Sequence, residues 1–268
     1  MTSDLRAPDP GLDARAAFCR ALAGSAGEIA LAGFGQRTPG DFRMKGPQDF
    51  LTETDAAVER HVREAIAAAF PEDGFLGEET GGRVGRDTWV VDPIDGTANF
   101  ARGIPHFCVA IAFVRDGVTE IGAIRNPALG QLHFARRGGG AIRDGAAIRV
   151  APTTDFDSAC VELGWSPRVP NARYLAAMAT LLALGANVRR GASGALALAY
   201  VADGRSDGYA EIHMNAWDCL AGLLMVEEAG GRVGAFPEHG LTAGGPVIAA
   251  APGIAEAFAT AIGLPLRA

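Results

Sequence analysis

Thr88-Trp89-Val90-Val91 is a short aromatic and β-branched run that leads directly into Asp92-Pro93-Ile94-Asp95. It reads as a buried strand over 88–91 that ends in a loop. Carboxylates at the end of a buried element are costly unless they are paired or metal-bound. No Lys or Arg lies between Asp92 and Asn99 to pair with them. A fold for this chain must therefore bury a strand and neutralise an acidic cluster at its end.

An Asp-x-x-Asp spacing at a strand end can aim two carboxylates at one point, and hard oxygen donors suit Mg²⁺ rather than zinc. Asp95-Gly96-Thr97 then supplies a turn, a hydroxyl and backbone N–H groups. A helix beginning there would favour a phosphate at its N-terminus. Further carboxylates sit at the ends of apolar stretches: Glu78 and Glu79 after Phe75-Leu76-Gly77, and Asp218 at the head of an apolar helical pattern. Metal carboxylates beside a phosphate cradle imply metal-assisted phosphoryl transfer, most simply to water.

The flanking pattern is that of one body of 268 residues without a Pro-, Gly- or Ser-rich linker. Residues 1–10 read as a frayed arm. Helical spacing covers 12–34 and 56–70, and strand-like runs follow at 107–114, 119–124 and 131–135. Helical spacing returns at 171–186, 195–202, 218–229 and 253–262. Short strands fall at 188, 209–212 and 247–250. Residues 11–150 read as an α+β half and 151–268 as an α/β half. Gly138-Gly139-Gly140 reads as a hairpin turn, because no strand-to-helix context follows it.

Composition excludes other classes. With 24 basic and 31 acidic residues, the net charge is -7 and no basic stripe is visible, which argues against direct nucleic-acid contact. Lys45 is the chain's one lysine. Cys19, Cys108, Cys160 and Cys219 lack zinc-ligand spacing and read as buried free thiols. The polar N-terminal segment does not read as a signal peptide, and no apolar run reaches the ~18 residues of a membrane span. A cytoplasmic location with no membrane contact is expected.

Taken in order, Phe75 to Glu79, Trp89 to Phe100, Trp217-Asp218 with Ala221-Gly222, and Glu228 to Gly231 resemble the inositol monophosphatase family. Lys45 to Thr52 with Asp55 resembles its upstream motif, and Gly122 to Pro127 another family strand. The resemblance implies a layered αβαβα sandwich, a homodimer, and two or three Mg²⁺ ions per site. It implies that Glu78, Asp92 and the Ile94 carbonyl hold one ion, and that Asp92, Asp95 and Asp218 hold a second. A third, weaker ion would sit near Glu78. Thr97, oriented by Asp55, would work with Glu78 on the attacking water, and Gly96 and Thr97 N–H groups would bind phosphate. Ser193, Glu211 and Asp218 would contact the substrate, and Lys45 matches a lysine near the metals.

The implied activity is Mg²⁺-dependent, lithium-sensitive hydrolysis of small sugar or polyol phosphates, with inositol monophosphate first. Histidinol phosphate and fructose 1,6-bisphosphate are the alternatives; Ala98 and Asn99-Phe100 favour the inositol branch. A reading of another class is a non-catalytic regulator that binds transcription machinery. Departures from the pattern cluster in 151–268, the substrate half: Ala192-Ser193-Gly194-Ala195 for Gly-Ser-Ala-Ala, Ala197 for a carboxylate, and Ala210 for an aromatic beside Glu211. Gly164 to Arg168 and His213 to Ala216 are also atypical. Small residues at Ala192, Ala197 and Ala210 imply a roomier substrate wall, with Trp165 as a filler.

Overall fold

The computed structural model describes residues 9–267 except 39, 41, 47, 48 and 238, so most of the expected N-terminal arm lies outside the described residues. In chain order the elements are α1 (Pro10–Gln36), β1 (Arg43–Gly46), β2 (Asp49–Leu51), α2 (Glu53–Ala69), β3 (Gly74–Gly77), β4 (Gly81–Arg83), β5 (Asp87–Asp95) and α3 (Thr97–Arg102). Then come β6 (Cys108–Arg115), β7 (Val118–Asn126), β8 (Gln131–Arg136), β9 (Gly140–Arg143), β10 (Ala146–Ala147), β11 (Cys160–Leu163) and α4 (Asn171–Ala183). The chain ends with β12 (Asn187–Arg189), α5 (Gly194–Ala202), β13 (Gly208–Met214), α6 (Ala216–Glu228), β14 (Arg232–Val233), β15 (Gly245–Ala250) and α7 (Ala255–Ile262).

Eight strands form a sheet in the order β10-β9-β8-β7-β6-β5-β3-β4, and five form a second sheet, β12-β11-β13-β15-β14. Alternation along each strand splits the core into layers. Trp89, Val91, Ile111 and Phe113 face α1 and α2, through Leu22, Ala26, Val58 and Val62. The neighbouring residues Val90, Ala110, Ala112 and Val114 face the other way, onto α5 and α6. Those two helices also cover Tyr209, Val247 and Ala249 of the second sheet. Its far face, with Val161, Leu163, Ala210 and Ile248, packs on α4 and α7. The stack is the αβαβα sandwich that the resemblance implies. A helix with sheets on both sides must be apolar all round, and every residue of α5 from Ala195 to Ala202 is buried. Among the described residues, no helix is long and apolar enough to cross a membrane.

Several boundaries differ from the sequence reading. Helix α1 begins at Pro10, where Asp9 accepts the N–H groups of Gly11 (2.9 Å) and Leu12 (3.2 Å), so the frayed arm does not extend to residue 10. Strand β5 does not end at Val91. It continues to Asp95 through a bulge, because Asp92 pairs with Ala110 and Asp95 with Cys108, three steps against two. Pro93 cannot donate to the ladder, so the extra residue is accommodated there. The short strands β3, β4, β9, β11 and β14 gave no periodic signal. The glycine segment is a hairpin turn: Gly138 and Gly140 N–H groups each donate to Glu228 at 2.8 Å. All four cysteines are free; Cys160 is only half-buried.

Strand β5 is anchored at its start by Asp73. Its carboxylate accepts from Trp89 Nε1 (2.9 Å) and from Arg15 Nε (2.8 Å) and Nη2 (2.6 Å) on α1. Asp73→Ala leaves a buried indole N–H unpaired and leaves the Arg15 guanidinium with only Asp87 (3.8 Å) and the Gly11 carbonyl (3.2 Å). It should destabilise the chain by about 2–3 kcal/mol, measured as a shift in the urea midpoint at unchanged slope.

Candidate active site

Parallel pairing of β3 with β5 sets Gly77 opposite Val91, so both strands end at the same edge. Glu78 N–H donates to the Val91 carbonyl (3.1 Å), which holds Glu78 next to Asp92. Asp92 is buried, and its Oδ1 accepts from Ile94 N–H (2.9 Å). The bulge then presents Asp95 to the start of α5. Asp95 Oδ2 accepts from Ser193 Oγ (2.6 Å) and Ala195 N–H (2.7 Å), and Oδ1 from Gly194 N–H (3.3 Å). Asp218 lies in a capping box at the head of α6, where its Oδ2 accepts from Asn215 N–H (3.0 Å). Lys45 Nζ stands 2.9 Å from Glu79 and 3.7 Å from Glu78.

These residues surround a cleft of about 410 Å³ whose wall includes Glu78, Asp95, Gly96, Thr97, Glu211 and Asp218. Asp92 is buried and does not line it. Gly96 has φ +95°, and a Cβ there would lie 3.0 Å from the His106 carbonyl oxygen. Only glycine fits this turn. Helix α3 does begin at Thr97, and Asn99 N–H is already donated to the Gly96 carbonyl (2.9 Å), so the N–H groups ahead of it are the ones without an intrahelical acceptor. Asn99 amide N–H groups donate to the carbonyls of His106 (2.8 Å) and Gly191 (2.9 Å), clamping the segment before α5 to this turn.

The structure reassigns some expected contacts. Thr97 Oγ1 donates to the Ile94 carbonyl (2.9 Å), not to Asp55. Asp55 is fully buried and caps α2 through Thr52 N–H (2.9 Å), leaving its Oδ1 without a partner. Ala210 is not on the substrate wall. It faces the core under α4 and α7, because alternation sends Tyr209 and Glu211 to the cleft instead. Tyr209 thus supplies an aromatic beside Glu211, and its hydroxyl donates to Glu211 Oε2 (2.6 Å). The i, i+2 spacing on a strand was the signal that could have found it.

Glu59 was also missed. It is buried on the Asp55 face of α2 and accepts from the N–H groups of Glu79 (2.8 Å) and Thr80 (3.0 Å), holding the turn after β3. Its spacing of four from Asp55, with Val58 and Val62 on the same side, carried that information. Ala192, Ala197 and Trp165 do line the cleft, and Trp165 Nε1 donates to Asn171 (2.7 Å). Arg190 lines the cleft as well, whereas its neighbour Arg189 lies 3.5 Å from Glu162.

Burial first, then mutual repulsion, raises the pKa of Glu78 and Asp92 well above the carboxylate range. Asp218 is raised by burial and by the charge of Asp95. Asp95 is raised by burial, partly offset by its bonds from Ser193, Ala195 and Gly194. Burial lifts Glu211 to about 7 and Asp55 to about 6. This is the environment a divalent cation relieves, since a bound ion inverts the local charge balance. The oxygen-only donor set fits a hard cation. Among the described residues, no three acidic, histidine or cysteine side chains are already gathered round one point.

A model of the inositol monophosphatase family matches residues 12–263. The chain belongs to this family, whose activity is that of a phosphatase. It is 39% identical over 211 residues to an inositol-1-monophosphatase of Rhizobium meliloti strain 1021, covering 77% of this chain and 79% of that one. It is equally 39% identical over 213 residues to the Nus factor SuhB of Xylella fastidiosa, with 78% and 77% covered. The crystal structure of the extragenic suppressor protein suhB from Bartonella henselae superposes with a TM-score of 0.86 at 32% identity, over 93% of this chain and 98% of that one.

Two outcomes follow from this geometry. Carboxylates with raised pKa values bind more protons folded than unfolded, so metal-free stability falls as pH rises through those values. His106 and His213, lowered by burial from 6.5, act in the opposite sense only below that pH. In chelator the melting temperature should therefore drop between about pH 6.5 and about pH 8, and saturating Mg²⁺ should flatten that slope in a calorimetric series. Separately, Ala192 holds φ +59°, at a position where the family pattern has glycine. Ala192→Gly should stabilise the chain by about 0.5–1 kcal/mol in urea titration.

Proposed function

We propose that this chain is a Mg²⁺-dependent phosphomonoester hydrolase of small sugar or polyol phosphates, with inositol monophosphate as its substrate. The observation that carries the reading is the placing of Glu78, Asp95 and Asp218 on one cleft with the Gly96–Thr97 helix start and Glu211. Glu78, Asp92, the Ile94 carbonyl, Asp95 and Asp218 are the groups that would hold the ions. When bound, Mg²⁺ lowers the pKa of water and offsets charge on the phosphoryl oxygens.

The remaining work belongs to the chain's own groups. The N–H groups of Gly96 and Thr97, at the start of α3, orient the phosphate by direct donation. Thr97 Oγ1 sits next to them, held by the Ile94 carbonyl (2.9 Å). Glu211 accepts from a hydroxyl of the alcohol portion, with Tyr209 fixing its carboxylate from behind (2.6 Å). Lys45 balances part of the Glu78 and Glu79 charge. Trp165 bounds the alcohol side, and the small Ala192 and Ala197 leave that side roomy. A second reading, a non-catalytic part in transcription, is favoured by the relatives named Nus factor SuhB.

Phosphate release from myo-inositol 1-phosphate should vanish in chelator and return with Mg²⁺; a chain inert under both conditions supports the second reading. Asp95→Asn should lower kcat at least about a hundredfold with the fold intact by circular dichroism. Glu211→Gln should chiefly raise KM for polyol phosphates, by about tenfold. Equal kcat losses in both variants at unchanged KM would contradict this division of roles.

A further inference from the structure

Ser193 is the residue that precedes the first turn of α5, a position where a serine side chain normally accepts an N–H from its own helix. Here it makes no such bond. The N–H it would take, that of Ala195, is bonded instead to Asp95 Oδ2 at 2.7 Å. The serine hydroxyl donates to that same oxygen at 2.6 Å. Ser193 lines the cleft but is only 3% exposed, and its single proton is committed to Asp95. The Cys108 thiol packs against both partners, 3.9 Å from Ser193 Oγ and 3.8 Å from Asp95 Oδ2.

The two carboxylate oxygens of Asp95 are consequently unequal. Oδ2 carries two short bonds, while Oδ1 carries one long contact, from Gly194 N–H at 3.3 Å. We infer that Ser193 is a positioning residue: its hydroxyl locks the Asp95 carboxylate so that Oδ1 faces the cleft as the oxygen available to a divalent cation. The inference rests on the metal-dependent reading of the cleft. It makes the Asp95 carboxylate, in place of a substrate group, the acceptor of the Ser193 hydroxyl proton. It also gives the Asn99 clamp a purpose, since the carbonyls of Gly191 and His106 that it holds fix the backbone leading into Ser193.

The test uses the full chain with Ser193→Ala, Ser193→Gly and Ser193→Thr. Because the side chain makes no cap bond, the alanine variant should fold, and glycine is a second hydroxyl-free variant that keeps a favourable residue at the helix start. The first readout is the rise in melting temperature on titration with MgCl₂ alone. The second is kcat and KM for myo-inositol 1-phosphate as a function of Mg²⁺. Alanine and glycine should each need about tenfold more Mg²⁺ for the half-maximal thermal shift and lose kcat about tenfold, with KM within about threefold; threonine should recover both. Wild-type Mg²⁺ dependence in both hydroxyl-free variants would overturn the inference, as would a rise in KM at unchanged kcat. A wild-type chain that shows neither a thermal shift nor turnover with Mg²⁺ would overturn the reading of the cleft as well. A wild-type chain that shows both, alongside variants that match it, would overturn the role of Ser193 alone.

Discussion

Burying several like charges at one seam is the constraint on which this structure depends. Three carboxylates, Glu78, Asp95 and Asp218, line the cleft where the large sheet, the second sheet and the middle helices come together, a fourth, Asp92, lies buried behind them, and each is offset by a different local device. Asp95 takes N–H groups at the head of α5, and Asp218 closes a capping box at the head of α6. Asp92 is bonded by the backbone two residues on, and Glu78 lies near Lys45. Helix N-termini carry partial positive charge, so the same elements that build the middle layer also moderate its acidic edge. The offset is incomplete, as the raised pKa values show, and the remainder is what a divalent cation would supply.

The layering explains why the cleft lies at that seam. Helices α5 and α6 are covered by sheets on both faces, which requires apolar residues all round and small ones at close contacts. Strand β6 shows the division: Ala110 and Ala112 face those helices, whereas Ile111 and Phe113 face α1 and α2. With their sides sealed, only the ends of α5 and α6 reach polar surroundings. Their N-termini open beside the end of β5 and beside Glu211 on β13, which brings the acidic edge and Glu211 into one cavity.

The substrate side departs from the family pattern in ways that the structure separates. Ala192 and Ala197 line the cleft, and Ala192 does so in a strained left-handed conformation. Ala210 has no part in it, and the aromatic that seemed absent is provided one residue earlier by Tyr209. Asn99, which in the sequence marks a branch of the family, acts here as a clamp between two backbone segments. Trp165 and Arg190 line the cleft together with Phe50, Arg102 and Met214.

Features encoded over a few neighbouring residues were readable from the sequence alone. The long helices and the strands β6 to β8 follow from periodicity, because each side chain's face depends only on its own spacing. The acidic motif around Asp92 and Asp95 was legible for the same reason: a buried strand running into carboxylates is a contradiction visible in ten residues. Tertiary structure decided the rest. Strands of two to four residues such as β3, β11 and β14 have no period of their own and exist through pairing with distant partners. The bulge in β5 depends on β6, and the partners of Thr97, Ser193 and Glu59 depend on which turns the packed layers bring together. Composition and spacing determined that this chain would gather carboxylates at the end of a strand. Which oxygen each presents to the cleft was decided by register and packing, because a hydrogen bond spanning a hundred residues has no local signature.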